Sequence, residues 1–133
     1  MIYTNIWEAL ETLINGITGL GAEYVYNYEP KQPDWYPCVS ITPNTSTELL
    51  FGSASTQAEI PYNIRVMVQY DDLGTQENKI REMVDDILNA LRTDPYLWNL
   101  ALKSQYEVER WYTNEEQSNR IAIIKATYTT LIC

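Results

Sequence analysis

Histidine is absent from the 133-residue sequence, and cysteine occurs only at Cys38 and Cys133. Without histidine, the common zinc ligand sets and the most frequent general base of nucleophilic catalysis are both missing. The two cysteines lack the spacing of a metal site and are too few for a disulfide framework. Cys38 has no basic neighbour in the sequence, so we expect a small core residue and not a reactive thiol.

Basic residues are scarce, with nine Lys and Arg against 18 Asp and Glu, which gives a formal net charge of -9 at pH 7. A surface of this charge does not attract the phosphate backbone of nucleic acids, and it offers few cations to release counterions on binding. We therefore expect no specific binding of DNA. The same repulsion suits the wall of a channel through which DNA slides without sticking.

Long apolar runs are missing as well. No segment approaches the roughly 18 apolar residues of a membrane span, and the first residues, MIYTNIWEALETLING, lack the regions of a signal peptide. No Ser, Gly or Pro tract is long enough to link two domains. We expect residues 1–133 to form a single domain that is made in the cytosol and has no membrane contact.

Two segments have the apolar spacing of amphipathic helices. The first is predicted to begin at Asn5, which with Glu8 resembles a capping box. Its apolar face consists of Ile6, Leu10, Leu13, Ile14 and Ile17. The second is predicted to be capped by Thr75 and to end at Asp94, before a proline. Its apolar face consists of Ile80, Met83, Val84, Ile87, Leu88 and Leu91.

Period-two patterns predict strands in the rest of the chain. The clearest covers residues 60–70, where Pro61 indicates an edge or a bulge near the start of the strand. Its apolar face consists of Ile60, Tyr62, Ile64, Val66, Val68 and Tyr70. Shorter strands are predicted at 24–28 and 38–42, and a hairpin at 106–112 and 120–132. The interval 44–55 is predicted to be a hairpin arm or a protruding loop.

The order of these elements predicts an α+β fold. In this fold we expect two amphipathic helices to pack on one face of a largely antiparallel β-sheet, and an extended loop or hairpin to protrude from the sheet. No internal repeat is visible in the sequence.

Carboxylate pairs are the main candidates for chemistry, because nucleotide-binding and hydrolase motifs are absent. Asp71-Asp72, Asp85-Asp86 and Glu115-Glu116 are the pairs that could hold a metal ion. Each also has a structural explanation, as a turn, a polar helix face and a hairpin loop. We predict no catalytic residue, no cofactor and no metal ligand, and a small metal-assisted enzyme is the alternative.

Aromatic residues are distributed unevenly, with 11 tyrosines and four tryptophans but only one phenylalanine. Tyrosine and tryptophan suit half-buried sheets and protein interfaces. Trp35 and Tyr36 lie in a stiff, proline-bounded loop that either anchors a partner or folds back on the core. A protein-binding module that uses this loop is therefore a further alternative. Trp98 and Trp111 are predicted to be packing residues.

The chain resembles the small tail-terminator and neck (head–tail joining) proteins of long-tailed bacteriophages. The resemblance covers most of the sequence: the first helix, the segment YPCVSI at 36–41, the extended loop, the strand at 62–70, and the helix IREMVDDILNAL at 80–91. It implies a structural protein of the virion that is not an enzyme.

The resemblance also implies partners. The family forms a homo-oligomeric ring, expected to be a hexamer, that caps the finished tail tube and joins it to the head connector or stopper protein, while DNA passes through unbound. Loops of such a ring insert into neighbouring subunits, and 44–57 is the candidate segment. The candidate interface residues are Trp35, Tyr36, Leu49, Leu50 and Phe51.

Overall fold

The computed structural model describes residues 2–17, 24–26, 36–44, 47–51, 55–70, 72–114 and 119–132. They form two helices, α1 (Ile2–Asn15) and α2 (Leu73–Thr93), and six strands. The strands are β1 (Tyr24–Tyr26), β2 (Cys38–Pro43), β3 (Thr47–Phe51), β4 (Ser55–Val68), β5 (Lys103–Asn114) and β6 (Asn119–Ile132). The predicted α+β fold is confirmed.

The six strands form one sheet in the order β1-β2-β4-β6-β5, and β3 pairs with β4 beside that path. β1 runs parallel to β2, and all other pairs are antiparallel. β4 is the central strand, where Ile64 lies between Ile41 of β2 and Ile124 of β6. The predicted hairpin at the end of the chain is the β5–β6 pair.

A hairpin arm continues the sheet beyond β2. β3 pairs with the start of β4, from Thr47 opposite Glu59 to Phe51 opposite Ser55, and the end of β6 pairs with the other side of the same β4 segment. We call β3 and residues 55–59 of β4 the arm. The interval predicted to be a hairpin arm or protruding loop thus contains the first strand of a hairpin.

Pro61 lies inside β4, at the root of the arm, and not at a strand end. Its carbonyl oxygen accepts a hydrogen bond from the Asn44 backbone N–H at 3.0 Å. In an antiparallel strand the N–H and C=O of one residue point to the same neighbour, so the missing N–H of Pro61 faces the junction between β2 and β3. The ladder of backbone hydrogen bonds is interrupted at this junction, because β4 changes its partner there from β3 to β2. A proline, which lacks the N–H donor, is therefore tolerated.

Both helices pack on the same face of the sheet. The buried residues of β4 on this face are Ala58 and five residues of the predicted period-two pattern: Ile60, Tyr62, Ile64, Val66 and Val68. Tyr70, the sixth residue of that pattern, lies beyond the end of the strand and is 36% exposed. Two hydrogen bonds join the helices to the sheet. Trp7 Nε1 of α1 donates to the Ile41 carbonyl of β2 at 3.0 Å, and the Tyr106 hydroxyl of β5 donates to the Leu91 carbonyl of α2 at 3.0 Å. The six residues of the apolar stripe predicted for the second helix are all buried.

The starts of both helices differ from the predictions. α1 begins at Ile2, so Asn5 is an exposed residue within the helix and not its cap. α2 is capped by Asp72, whose carboxylate accepts from the Thr75 backbone N–H at 3.1 Å and from the Thr75 hydroxyl. Thr75 is therefore the third residue of the helix, which pairs with the cap instead of providing it.

Replacing Asp72 with alanine is expected to lower the melting temperature by roughly 3 °C, because an N-cap oxygen is lost. The hydrogen bonds from Thr75 lower the pKa of Asp72. Its stabilisation is therefore complete above the unfolded pKa of about 4 and is lost as the pH falls through the lower folded pKa. Thermal unfolding of both proteins between pH 7 and pH 2 checks this, since the difference should vanish in acid.

The other face of the sheet carries a smaller apolar cluster, formed by Tyr26, Cys38, Met67 and Ile121 with Tyr36, Tyr112 and Ile123 at its edge. Neither described helix packs against this face. No helix within the described ranges is long and apolar enough to cross a membrane.

Candidate assembly surfaces

The structure describes one complete acidic pair, Asp85-Asp86, and one member of another, Asp72. Asp72 is used as a helix cap, and Asp85 and Asp86 lie on the polar side of α2, exposed and half-buried. Asp71 and the Glu115-Glu116 pair lie outside the described residues. No three carboxylate, thiol or imidazole groups among the described residues are close enough to hold an ion.

Cys38 is fully buried on β2. Burial raises the pKa of its thiol to about 12, because a thiolate is costly to form away from water. The expectation of an unreactive core cysteine agrees with this environment.

Alkylation of Cys38 at pH 8 is expected to be roughly a thousandfold slower in the folded protein than in urea, because the thiolate fraction falls by about that factor between pKa values of about 8.5 and 12. Intact-mass measurement after iodoacetamide treatment of a Cys133→Ser variant checks this. Equal rates with and without urea would show that the thiol is accessible in the fold.

The predicted interface residues lie in two separate places. Tyr36 is half-buried beside the smaller cluster, and its hydroxyl accepts a hydrogen bond from Asn119 Nδ2 at 2.9 Å. Burial raises the pKa of Tyr36, partly offset by this bond. Leu49, Leu50 and Phe51 lie on β3, opposite Gln57, Thr56 and Ser55. Trp35 lies outside the described residues, and the interface role of all five stays a prediction.

An open groove of about 500 Å³ separates α2 from the β5–β6 hairpin. Its lining consists of Glu77, Arg81, Val84, Asp85, Leu88, Val108, Trp111 and Arg120. Glu77 joins the two elements, with one carboxylate oxygen 3.0 Å from Arg120 Nε and the other 3.3 Å from the Arg81 guanidinium. The Arg120 contact is one of charge, since its geometry is not that of a hydrogen bond. The lining of the groove therefore combines four charged side chains with four apolar ones.

β5 is the edge of the sheet next to this groove, and it pairs with β6 alone among the described strands. Exposed charges mark it, including Lys103, Glu107 and Arg110, and a bulge lies between Val108 and Arg110. The Arg110 guanidinium lies 4.5 Å from the centre of the Tyr112 ring. Charged side chains and bulges are devices that keep edge strands from pairing with other chains, so β5 is a protected edge.

A left-handed turn connects α2 to β5. Leu97, Trp98 and Asn99 have φ values of 44°, 53° and 69°, and none of them is glycine. Left-handed backbone costs about 1 kcal/mol or more for each such residue. The surroundings hold it in place: the Asp94 carboxylate accepts from the Trp98 backbone N–H at 3.0 Å, and the Leu97 side chain is fully buried.

This turn directs large apolar side chains into solvent. Tyr96 is 52% exposed, Trp98 is 55% exposed and Leu102 is 56% exposed. The turn is fastened to the sheet by β6, because Leu102 N–H donates to the Thr129 carbonyl at 2.7 Å and the Thr130 hydroxyl donates to the Leu100 carbonyl at 2.9 Å. A held turn with exposed aromatic rings has the properties of an anchor for a protein partner.

Neither a protein-family model nor a curated protein matches the chain. Among solved structures, the fold is similar to that of a chain in the virion of a native gene transfer agent (GTA) particle. The TM-score is 0.52 and the identity is 11%, and the match covers 98% of this chain and 92% of the other. At this identity the likeness concerns the fold.

Sequence reasoning missed the exposed turn. The prediction that Trp98 is a packing residue was wrong: the buried residues of the segment are its neighbour Leu97 and Ala101. Trp111 is 39% exposed at the groove and packs only in part. The sequence feature that could have indicated this exposure is the short apolar segment 96–102, which has neither helix nor strand periodicity. A segment of that kind has no regular face to bury, so part of its apolar surface stays exposed.

Proposed function

We propose that this chain is a structural subunit of a phage-like particle, and within that class a tail terminator. In this role copies of the chain form a ring that caps the finished tail tube and joins it to the head connector or stopper protein. The observation that carries the proposal is the fold likeness to a chain of a GTA virion over nearly the full length of both chains. Because folds are shared between functions, the surfaces must also fit.

The surface charge supports this role. The two helices carry exposed or half-buried carboxylates, and the whole chain has a net charge of -9. These carboxylates include those of Glu8, Glu11, Glu82, Asp85 and Asp86. A ring built from such subunits presents carboxylates to passing DNA and repels its phosphates. Specific DNA binding is not part of the proposed role.

The aromatic surface supports it as well. The exposed rings of Tyr96 and Trp98 suit burial against another protein, since aromatic residues are enriched in interfaces. The arm adds a β-hairpin that can reach a neighbouring subunit. A single domain spanning 1–133 that assembles with the tail tube protein and the head connector accounts for both features.

Deletion of the gene from the phage or phage-like element that encodes it tests the proposal. Without a cap, tube polymerisation has no stop, so electron micrographs should show tubes of uncontrolled length and heads without tails. Expression of the chain from a plasmid should restore joined particles. Deletion particles with tails of normal length, attached to heads, would overturn the terminator role.

A further inference from the structure

We infer that two copies of this chain meet head to tail through patches at the opposite ends of α2. The first patch consists of Tyr70, Asp72 and Leu73, at the start of the helix. The second consists of Tyr96, Trp98 and Leu102, after its end. This inference rests on the proposed function, because it names the contact that would build the proposed ring.

The exposed apolar residues are not scattered over the described surface. Apart from Trp111 in the groove, the large hydrophobic residues found exposed belong to these two patches, and Leu73 is the most exposed of them at 74%. Surface apolar residues that cluster in this way mark contact sites for other proteins.

The two patches face opposite directions along the molecule. α2 has 21 residues, and at 1.5 Å per residue it separates the patches by about 30 Å. The pairing with β6 agrees with this separation. Val68, which precedes the first patch, pairs with Arg120 near the start of β6. The backbone N–H of Leu102, in the second patch, donates to the carbonyl of Thr129 near the end of β6. Surfaces at opposite ends cannot meet within one chain, and they can meet between copies.

The charges of the two patches are complementary. Asp72 is exposed in the first patch, and hydrogen bonds from Thr75 favour its ionised form. Arg92 and Lys103 are exposed beside the second patch, whereas the Asp94 carboxylate there is half-buried and accepts the hydrogen bond from the Trp98 backbone N–H. Contact of the first patch with the second places opposite charges around apolar residues, whereas contact of the second patch with itself brings like charges together. The complementarity identifies a second copy of this chain as the occupant.

A contact between two different patches is heterologous, and repetition of such a contact closes into a ring when the rotation between copies allows it. The protected edge of β5 supports this route, because edge pairing is hindered there. The left-handed turn fits this arrangement, because it holds the Trp98 ring in an exposed position. Leu73 of a neighbouring copy can cover the ring there.

Cysteine cross-linking between two populations of full-length protein tests the contact. One population carries Leu73→Cys, the other carries Leu102→Cys, and both carry Cys133→Ser. Under mild oxidation the mixture should form cross-linked dimers at least tenfold faster than either population alone. Copies with Glu82→Cys, in the middle of α2, serve as the control for random collision. Equal rates in all samples, or fastest cross-linking of the Leu102→Cys copies with each other, would overturn the inference.

Two substitutions in the turn distinguish the contribution of the Trp98 ring from that of the left-handed backbone. Trp98→Asn removes the ring but keeps a residue that tolerates a positive φ, and it should weaken self-association at least tenfold in analytical ultracentrifugation. Asn99→Gly changes the neighbouring left-handed residue, keeps the ring and should leave self-association unchanged. Self-association that survives Trp98→Asn would contradict the contact.

The results separate this inference from the proposed function. If the chain is found in particles but no cross-link forms between positions 73 and 102, the ring contact lies elsewhere and the inference fails alone. If the cross-link forms and the chain is absent from particles, the contact stands and the proposed function fails.

Discussion

Replacing Ile124 with alanine is expected to lower the free energy of unfolding by about 3 kcal/mol. Ile124 is fully buried at the centre of the sheet, between Ile64 of β4 and Val108 of β5, and its face is covered by the helices. The substitution removes apolar contacts and leaves a cavity that packed neighbours fill only in part. Because whole domains of this kind are stable by only about 5–15 kcal/mol, the variant should be markedly less stable.

Ile123 supplies a matched control. It is the same residue type at the next position of β6, but it lies on the other face of the sheet and is half-buried. Ile123→Ala is expected to cost about 1 kcal/mol. Urea unfolding of the unsubstituted protein, Ile124→Ala and Ile123→Ala gives both differences in the free energy of unfolding, provided that the dependence of this free energy on urea concentration is similar in all three. Equal losses for the two variants would contradict the placement of the main core on the helix side.

Replacing both Leu49 and Phe51 with serine is expected to abolish incorporation of the chain into particles, while the melting temperature of the purified protein stays nearly unchanged. β3 pairs with β4 alone in the described part of the sheet, and it lies beside the first residues of β4, before the segment of β4 that pairs with β2. We expect apolar residues on such an arm to contribute to contacts between subunits and little to the fold.

Glu48→Gln is the control for the arm. It changes the same strand without removing apolar surface, so the variant should be incorporated as the natural chain is. The amount of each variant in purified particles, relative to a capsid protein, is the quantity to compare. Normal incorporation of the doubly substituted chain would exclude the arm as an essential contact.

The sequence predicted the elements whose apolar residues repeat. The alternation along β4 and the stripe of α2 are direct consequences of one buried face, so the pattern is visible in the chain itself. The hairpin of β5 and β6 was predictable for the same reason, because polar residues separate two periodic segments.

Features that depend on distant parts of the chain were not predictable. The parallel pairing of β1 with β2 is a choice of sheet order, which periodicity does not encode. Thr75 and Asp72 are both good caps, and the backbone at the start of α2 decides between them. The exposure of Trp98 follows from a turn held by Asp94 and by β6, which no local pattern reveals.

The composition of purified particles tests the central proposal most directly. Quantitative mass spectrometry should find the chain in particles at a small fixed number of copies, about six for the proposed ring. A tag on the chain should appear at the junction of head and tail in electron micrographs. Complete particles that contain every other structural protein and none of this chain would contradict its role as a structural subunit.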